Sequence, residues 1–482
     1  MICLIAVVLI AGWALPAAAG GRSYDEMPMS VVTKGLRAEQ HLQRQAELSR
    51  RLALEMPANA AEKAVRVPLT SDEVNAIENA PRAVSPLKIG LVKAMNPGIV
   101  VSGLRDVERT ADGGAVWATV VKSEGAGAIR LHVQDMSLPA NAELYVYSRA
   151  GQAYGPYTLS GSDFSGDFWT TALFSSEVIL QVRLAAPVSD ADLRAVTFRV
   201  QEAGLITAGF TRGLLEPRET QQLPWQRFEK AGEKAVFPCG NANCMVDATC
   251  SNVAAANPAK LAVAKMEWIS GSFIFTCTGG LINDNNPTQN NFFLTANHCL
   301  SANKAAKNVS FYWRFATSVC NGTCPVNTGW PFVTTGSTVA ASNRRGDYTL
   351  LQLNTAPPAG SVLLGWNSTP VANTNGAQLY RISNPIFQTQ VYSQHNVDTA
   401  TGTCTGWPRG ERIYSRDITG ATDGGSSGSP VVNASTQVVG QLSGACGFDV
   451  NNVCAGGPGE ANATVDGAFA YYYPSIQSII NP

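Results

Sequence analysis

The hydrophobic and polar positions follow different patterns in successive parts of the chain. Over residues 33–65, leucines and alanines recur at roughly helical spacing among charged residues, which predicts an amphipathic helix. From 86 to 202, short apolar runs such as EVILQVRL (177–184) are separated by Gly, Ser, Asp and Pro, which predicts the strands of a small β-sandwich. Short strands and turns continue from Cys239 onward, and helical patterning returns only at 471–482. The patterns therefore predict an all-β chain preceded by a helical segment.

The first 20 residues form an apolar run that ends in Ala17-Ala18-Ala19, a pattern typical of a cleaved signal peptide. The run is shorter than the roughly 20 residues that a membrane-spanning helix needs, and no other stretch is long and apolar enough. No Lys or Arg precedes the run, and a membrane anchor is the alternative interpretation. We therefore expect a secreted, extracellular protein that passes through the periplasm and is not stably inserted in a membrane.

Composition narrows the classes of partner. Charged residues make up 15% of the 482 positions, against about 25% in a typical domain. The formal net charge is −1, so no long-range field favours a nucleic acid or a membrane surface as a partner. The length itself predicts roughly three domains of about 150 residues each.

The cysteines divide the chain in two. There are eleven: Cys3 lies in the predicted signal, none follows until Cys239, and ten lie in the second half. An even number confined to one half indicates a disulfide-bonded domain outside the cytosol. Cys239 and Cys244 are a candidate for half of a zinc site, but four residues separate them and no second pair lies near a histidine, so disulfides are favoured and no metal is expected.

Three short segments of the second half carry groups suited to catalysis. FFLTANHCL (292–300) ends a strand at His298, RGDYTLLQL (345–353) begins one at Asp347, and GGSSGSPVV (424–432) places Ser427 in a tight turn. A serine hydroxyl needs a histidine to take its proton, and the histidine needs an acceptor on its other nitrogen. Each segment alone is ordinarily structural, but together they favour a nucleophilic serine hydrolase that needs no cofactor.

These segments resemble chymotrypsin-like serine proteases. LTANHC, DYTLLQL, GSSGSP and CTGGLI (277–282) are similar to four motifs of that family, in the same order. The Gly-Ser-Ser-Gly-Ser-Pro motif, with CMVDATC (244–250) and FYWRFATSVC (311–320), more closely resembles the secreted bacterial lysyl endopeptidases. The resemblance covers about residues 240–475. It implies a chymotrypsin-like double β-barrel that hydrolyses polypeptides through an acyl-enzyme and is made as a precursor.

The resemblance also implies a role for each residue of the site. Ser427, not Ser426, is the nucleophile, His298 is the general base and then the general acid, and Asp347 orients His298. The N–H groups of Gly425 and Ser427 form the oxyanion hole. Ser426 stands where the animal enzymes carry the Asp that pairs with the new N-terminus. We therefore expect activation to depend on a prosegment that aids folding or blocks the cleft.

Part of the disulfide pattern follows from the resemblance. The implied bridges are Cys277–Cys299, Cys250–Cys320, and Cys244 with either Cys446 or Cys454. A bridge at Cys277–Cys299 closes a loop of about 20 residues next to His298, worth roughly 3 kcal/mol in the chain-entropy model. The sequence does not assign the pairing of Cys239, Cys324, Cys404 and whichever of Cys446 and Cys454 remains.

The substrate pocket is less well defined. Ala421 occupies the position, six residues before the nucleophile, where trypsin-like enzymes have an acid. Lysyl endopeptidases have an acid where this chain has Thr464, and Asp466, two residues later, lies on the same side of the strand. Asp466 is either the partner of a Lys or Arg side chain or a solvated turn residue. Ser443, followed by Gly444 in the pocket wall, replaces the family's histidine, so strict lysine preference is not implied.

We therefore divide the chain into five parts. These are a signal peptide at 1–20, a helical prosegment at 21–85, a β-sandwich prosegment domain at 86–202, a processing junction at 203–237 and a protease domain at 238–482. The junction is charged and aperiodic, and it offers a processing protease peptide bonds next to basic residues. We expect a monomer whose partners are polypeptide substrates and its own prosegment. The alternatives are a protease that cuts after Glu or apolar residues, and a non-catalytic adhesin with a protease-like domain.

Overall fold

The computed structural model describes residues 24–62, 64–81, 85–158, 166–215, 242–286, 290–322 and 331–482. The predicted signal peptide and most of the predicted junction lie outside these ranges. The helices of the described residues are α1 Ala38–Leu54, α2 Ser71–Glu78, α3 Asp190–Ala195, α4 Ala208–Leu215, α5 Ala259–Ala262, α6 Asn303–Ala306 and α7 Phe469–Ile480. Short 3₁₀ turns occupy Ala58–Ala61, Ala248–Cys250 and Pro385–Phe387. Helix α1 lies within the stretch that the sequence predicts to be helical, and α7 begins two residues before the predicted C-terminal helix.

The strands of the first half are β1 Glu26–Met27, β2 Ser30–Val31, β3 Val65–Arg66, β4 Leu87–Ser102, β5 Glu108–Arg109, β6 Ala115–Lys122, β7 Ala126–Ser137, β8 Ala142–Tyr147, β9 Ala153–Tyr157, β10 Phe168–Trp169, β11 Glu177–Leu184 and β12 Thr197–Thr207. Strands β3, β6, β11, β8 and β9 form one sheet, and β10, β7, β12 and β4 belong to a second. A single apolar core that includes Leu131, Val133, Leu144, Val146 and Leu180 holds residues from both. The first half thus forms two packed sheets because alternate residues of each strand face inward.

The strands of the second half are β13 Val246–Asp247, β14 Val263–Ser270, β15 Phe273–Ile282, β16 Phe292–Thr295, β17 Ser310–Trp313, β18 Phe332–Thr335, β19 Ser337–Asn343, β20 Tyr348–Leu353, β21 Val362–Leu363, β22 Gly365–Asn367, β23 Gln378–Ser383, β24 Val391–Val397, β25 Arg412–Thr419, β26 Pro430–Val432, β27 Gln437–Gly447 and β28 Asn462–Ala468. Strands β23, β24, β25, β28, β27 and β26 pair in that order, and β26 returns to β23, which closes a barrel. Strands β18, β17, β14, β15, β16, β20 and β19 form the other barrel-like sheet, because β18 runs almost directly into β19. The predicted all-β fold with a double β-barrel is confirmed.

The two halves share one sheet. Strand β4 of the first half pairs antiparallel with β15 of the second, over the register Leu87–Thr276 to Leu91–Phe273. Behind this seam, the buried Arg130 donates to the Glu267 carboxylate at 2.8 Å, and both side chains are at most 1% exposed. The Tyr312 hydroxyl donates to the other Glu267 oxygen at 2.6 Å. Paired in this way, the charges avoid the several kcal/mol that an unpartnered buried ion costs.

Among the described residues of the second half there are four disulfides: Cys244–Cys454, Cys250–Cys320, Cys277–Cys299 and Cys404–Cys446. Cys244 pairs with Cys454, one of the two partners that the sequence left open, and Cys446 pairs with Cys404. Cys239 and Cys324 lie outside the described residues. Among the helices of the described ranges, none combines the length and the apolar character needed to cross a bilayer.

Candidate active site

His298 and Asp347 are brought together by strand pairing. His298 follows β16 and Asp347 precedes β20, and these strands pair antiparallel with Thr295 opposite Thr349. The end of one strand therefore meets the start of the other. His298 Nδ1 lies 2.9 Å from one oxygen of Asp347 and 3.0 Å from the other, and the His298 main-chain N–H also donates to the carboxylate at 3.0 Å.

Asp347 is fixed from several directions. Its backbone adopts a positive φ of 52°, a conformation that costs a non-glycine residue about 1–3 kcal/mol unless the surroundings impose it. The main-chain carbonyl of Asp347 accepts hydrogen bonds from the Asn297 N–H at 3.1 Å and from Gln441 Nε2 at 2.8 Å. The buried Asp347 carboxylate accepts a hydrogen bond from His298 Nδ1. This leaves Nε2 as the ring nitrogen able to take a proton.

Ser427 lies in the turn between β25 and β26. Gly425 has φ of +93° and Gly428 of +82°, values that favour glycine. A Cβ on Gly428 would lie 2.2 Å from Thr295 Oγ1, so this turn tolerates no side chain there. The Ser427 carbonyl accepts from the Thr278 N–H at 2.9 Å, which holds the turn against β15. The N–H groups of Gly425 and Ser427 donate to none of the described residues.

The Ser427 hydroxyl contacts the first half of the chain. Its Oγ lies 3.0 Å from Ser85 Oγ, two residues before β4 begins. No hydrogen bond joins Ser427 Oγ to His298 Nε2. All four residues, Ser85, His298, Asp347 and Ser427, line one cavity of about 410 Å³. The structure thus brings the three predicted catalytic residues to one cleft, with a serine of the first half beside Ser427.

The cavity extends from Ser427 along a wall that contains most of the predicted pocket. Ser443, Gly444 and Thr464 all line it, and Trp407 packs close to Gly444. The Ser443 hydroxyl is buried and has no hydrogen-bond partner among the described residues. These three residues therefore share one cavity with Ser427.

Asp466, the fourth predicted pocket residue, does not line the cavity. Its side chain is 0% exposed and forms an ion pair with the equally buried Arg381, at 2.5 Å. Arg381 in turn donates to the carbonyl of Ser429, two residues after Ser427, at 2.8 Å. Asp466 does share a strand face with Thr464, but it lies two residues farther along β28, inside the barrel. The correction is that its carboxylate neutralises a buried arginine and does not face a ligand.

A different carboxylate lines the cavity. Asp417 of β25 accepts hydrogen bonds on Oδ1 from Thr464 Oγ1 and from His395 Nδ1, each at 2.8 Å. The His395 ring is fully buried. The sequence analysis did not identify either residue, because the pairing of β24 with β25 places His395 opposite Asp417 across 22 positions of the chain. No local motif signals that contact.

The cavity lining holds two arginines as well as acidic and polar groups. Asp417, Thr464 and Asn462 belong to β25 and β28, while Arg344 and Arg412 lie near Asp347. Burial lowers the pKa of Arg412, and the negative charge of Asp347 opposes this effect. Arg412 donates to the carbonyls of Arg345 and Glu411, so its Nη1 is engaged by the main chain.

Cys277, His298 and Cys299 bring ligand-type atoms within 4.8 Å of one another. Both sulfurs are joined to each other in a disulfide. A disulfide sulfur offers no thiolate, and metal binding by cysteine requires one. This cluster therefore does not fit a metal site.

Comparison with known proteins agrees with this geometry. The model of the family "Lysyl endopeptidase, C-terminal domain" matches residues 240–454, and that of "Lysyl endopeptidase N-terminal domain" matches residues 64–200. A lysyl endopeptidase of Pseudomonas aeruginosa is 30% identical over 368 residues, which cover 73% of this chain and 72% of the relative.

Two solved structures are more distant. The Rv3671c protease from M. tuberculosis in its active form has a TM-score of 0.33 and 18% identity, over 52% of this chain and 93% of that one. The HtrA-type protease AlgW with a tripeptide also has a TM-score of 0.33, with 17% identity over 47% of this chain and 62% of that one.

Proposed function

Because the chain belongs to the lysyl endopeptidase family and is a serine endopeptidase, we propose that it is a secreted enzyme whose catalytic residues are His298, Asp347 and Ser427. The observation that carries this assignment is the geometry of His298. Its Nδ1 lies 2.9 Å from the Asp347 carboxylate, and its ring lines the same cavity as the Ser427 hydroxyl.

The first step forms an acyl-enzyme. Ser427 Oγ attacks the carbonyl carbon of the scissile bond as His298 Nε2 takes the hydroxyl proton, and Asp347 stabilises the resulting imidazolium. The carbonyl oxygen gains the negative charge and accepts hydrogen bonds from the N–H groups of Gly425 and Ser427. As the C–N bond breaks, His298 Nε2 passes its proton to the leaving amine. The acyl group remains as an ester on Ser427.

The second step returns the enzyme to its starting state. A water molecule attacks the ester carbonyl while His298 Nε2 takes one of its protons. The C–O bond to Ser427 then breaks, and His298 returns the proton to Ser427 Oγ. The products are a new carboxylate and a new amine, and each residue regains its original protonation state.

The first half acts as a prosegment that blocks this cleft. Its Ser85 hydroxyl contacts the Ser427 hydroxyl, and β4 then pairs with β15 next to the cleft. A peptide cannot reach Ser427 while Ser85 lies there. Maturation therefore requires cleavage of the chain between the two halves and release of the first half.

The specificity we propose is for a basic residue before the scissile bond, the P1 residue. The lining of the cavity beside Ser427 includes the polar residues Asn462 and Thr464 and the carboxylate of Asp417. Cleavage after Glu or after an apolar residue is the competing outcome, and a library of peptides that differ only at P1 distinguishes the three.

A fluorophosphonate probe tests the catalytic assignment. We would treat the processed, disulfide-intact protein and locate the adduct by mass mapping. The expected adduct is on Ser427, and it disappears in Ser427→Ala and in His298→Ala. Ser426→Ala is the matched control, since it removes the neighbouring hydroxyl and leaves Ser427 in place. Folded protein that takes no label would contradict the proposal and favour a non-catalytic binding protein.

A further inference from the structure

We infer that Asp417 is the residue that selects a basic P1 side chain. This inference rests on the proposed function, because it concerns the specificity of the same cleft. Asp417 lines the cavity that contains Ser427, yet it lies on β25, ten residues before the nucleophile, and no sequence motif marks it. A cationic side chain that enters the cavity next to Ser427 meets this carboxylate.

The two oxygens of Asp417 have different surroundings. Oδ1 accepts from Thr464 Oγ1 and from His395 Nδ1, so both directions on that oxygen are occupied. Oδ2 accepts no hydrogen bond from any described residue. The side chain is 10% exposed, so the carboxylate is largely removed from bulk water. A carboxylate held on one oxygen and open on the other is suited to accept an ammonium or guanidinium donor.

Gly456 leaves room at Oδ2. A Cβ on Gly456 would lie 2.3 Å from Asp417 Oδ2, and the Gly456 carbonyl accepts from the Asp417 N–H at 2.8 Å. The loop after β27 therefore passes close to the Asp417 carboxylate and also accepts a hydrogen bond from the Asp417 main chain. Any side chain at this position would displace Oδ2 from the place it now occupies.

The neighbouring groups favour a cation over an anion. The His395 ring makes its second hydrogen bond to Ser393 Oγ at 2.7 Å, so neither ring nitrogen faces the cavity as a donor to an acidic ligand. The Thr464 hydroxyl donates a hydrogen bond to Asp417 Oδ1, which orients the carboxylate. Of the two arginines in the lining, Arg412 interacts with the charge of Asp347 and donates to main-chain carbonyls, and Arg344 lies three residues before Asp347.

Other acids near the cleft fit this role less well. Asp466 is buried against Arg381, and position 421 holds an alanine. Asp423 lines the cavity but lies within the nucleophile turn, where its Oδ1 accepts from the Gly424 N–H at 2.6 Å. Asp423 is therefore the competing residue in the test.

The experiment compares kcat/KM on peptides that share every position except P1, which is Lys, Arg, Leu or Glu. In the processed protein, Asp417→Asn is expected to lower kcat/KM for the Lys and Arg peptides about 100-fold or more, because the cation loses its charged partner in a largely buried site. The value for the Leu peptide should change by less than about 3-fold, which also shows that the variant folds. Asp417→Glu should restore part of the basic preference.

Two further variants complete the test. Gly456→Ala places a methyl group against Asp417 Oδ2. Like Asp417→Asn, it should lower kcat/KM for the Lys and Arg peptides relative to that for the Leu peptide. Glu460→Gln removes one exposed carboxylate from the same loop without touching the cavity, and its P1 profile should match the wild type.

The outcomes separate two kinds of failure. If the wild-type protein takes no fluorophosphonate on Ser427, the proposed function fails. If it is labelled but Asp417→Asn keeps its preference for Lys and Arg, or Asp423→Asn loses that preference instead, the inference about Asp417 is overturned while the proposed function stands.

Discussion

The hydroxyl oxygens of Ser85 and Ser427 lie 3.0 Å apart, although 342 positions of the chain separate them. The contact joins the start of the long strand β4 to the turn between β25 and β26. It places the first half of the chain on the atom that we propose to be the nucleophile. The same strand then continues along β15, so the contact is one end of a longer junction between the halves.

Loss of the buried ion pair at that junction should loosen the first half. Arg130→Ala leaves Glu267 charged and without its arginine in a site that is 0% exposed, which is expected to cost about 3–5 kcal/mol. Thermal or urea unfolding of the full chain in a Ser427→Ala background measures the loss. In the chain with Ser427 intact, fluorophosphonate should label faster. Arg149→Ala removes an exposed partner of Glu177 and should change stability by at most about 1 kcal/mol. Equal effects of the two variants would contradict this expectation.

Asp347→Asn should lower kcat about 10⁴-fold. The amide can donate a hydrogen bond to His298 Nδ1, whereas the carboxylate only accepts one. His298 is then held in the wrong tautomer, and its Nε2 cannot take the serine proton. Steady-state kinetics of the processed protein measures the effect. Asp449→Asn alters an exposed acid on the loop before Cys454 and should keep normal kcat. A loss of less than about 10-fold in Asp347→Asn would mean that another group orients His298.

Removal of the Cys277–Cys299 disulfide should lower both stability and kcat. The bridge closes a separation of 22 residues, worth about 3 kcal/mol in the chain-entropy model, and Cys299 directly follows His298. The double variant Cys277→Ala with Cys299→Ala is therefore expected to loosen His298. Unfolding and kcat are measured on the same preparations.

The matched comparison is the double variant Cys404→Ala with Cys446→Ala. Its separation of 42 residues predicts a similar loss of about 4 kcal/mol. This bridge lies beside the pocket wall near Trp407, so the main kinetic change should be a higher KM. If both double variants changed kcat alike, the catalytic effect of the first would reflect general destabilisation.

Lys265 should make stability depend on pH. Its Nζ lies 3.3 Å from the ring centre of Phe387 and 3.8 Å from that of Phe315, and it has no hydrogen-bond partner among the described residues. Burial lowers the pKa of Lys265 well below its ordinary value, while the charge of Glu267 acts in the opposite direction. In the unfolded chain the pKa returns to about 10.4. As the pH falls below 10.4, the unfolded chain takes up a proton that the folded chain does not, so stability falls until the folded pKa is passed.

Lys265→Met keeps a flexible apolar stem and removes the charge. In the Ser427→Ala background it should be more stable than the parent by about 1–3 kcal/mol at pH 7, and the difference should shrink above pH 10. Denaturant unfolding across this pH range is the measurement, and Lys304→Met, at an exposed site, is the control. A difference that stays constant with pH would mean that Lys265 does not titrate between the two states.

The sequence was sufficient for the parts of the molecule that depend on local pattern. The alternation of apolar residues predicted an all-β chain, and the segments around His298, Asp347 and Ser427 predicted which groups share the cleft. Each of these residues sits at the end of a strand or in a glycine-bounded turn, where a few neighbouring residues determine the conformation.

The sequence was insufficient where a contact depends on distant strands. Period-two alternation correctly puts Thr464 and Asp466 on one face of β28, but it does not show where along that face the cavity ends. Asp466 lies past that point, and its partner Arg381 comes from β23. Asp417 reaches the cavity because β25 pairs with both β24 and β28, a relationship with no signature in the residues around it.

The pairing of β4 with β15 has a consequence for the mature enzyme. From Phe273 to Thr276, β15 pairs along one edge with β4 of the first half of the chain. If the first half departs, as we propose, a strand edge is exposed, and an exposed edge accepts any extended peptide that can supply matching N–H and C=O groups. The released first half and an incoming polypeptide would then compete for the same main-chain groups of β15. A high concentration of the released first half should therefore inhibit turnover competitively.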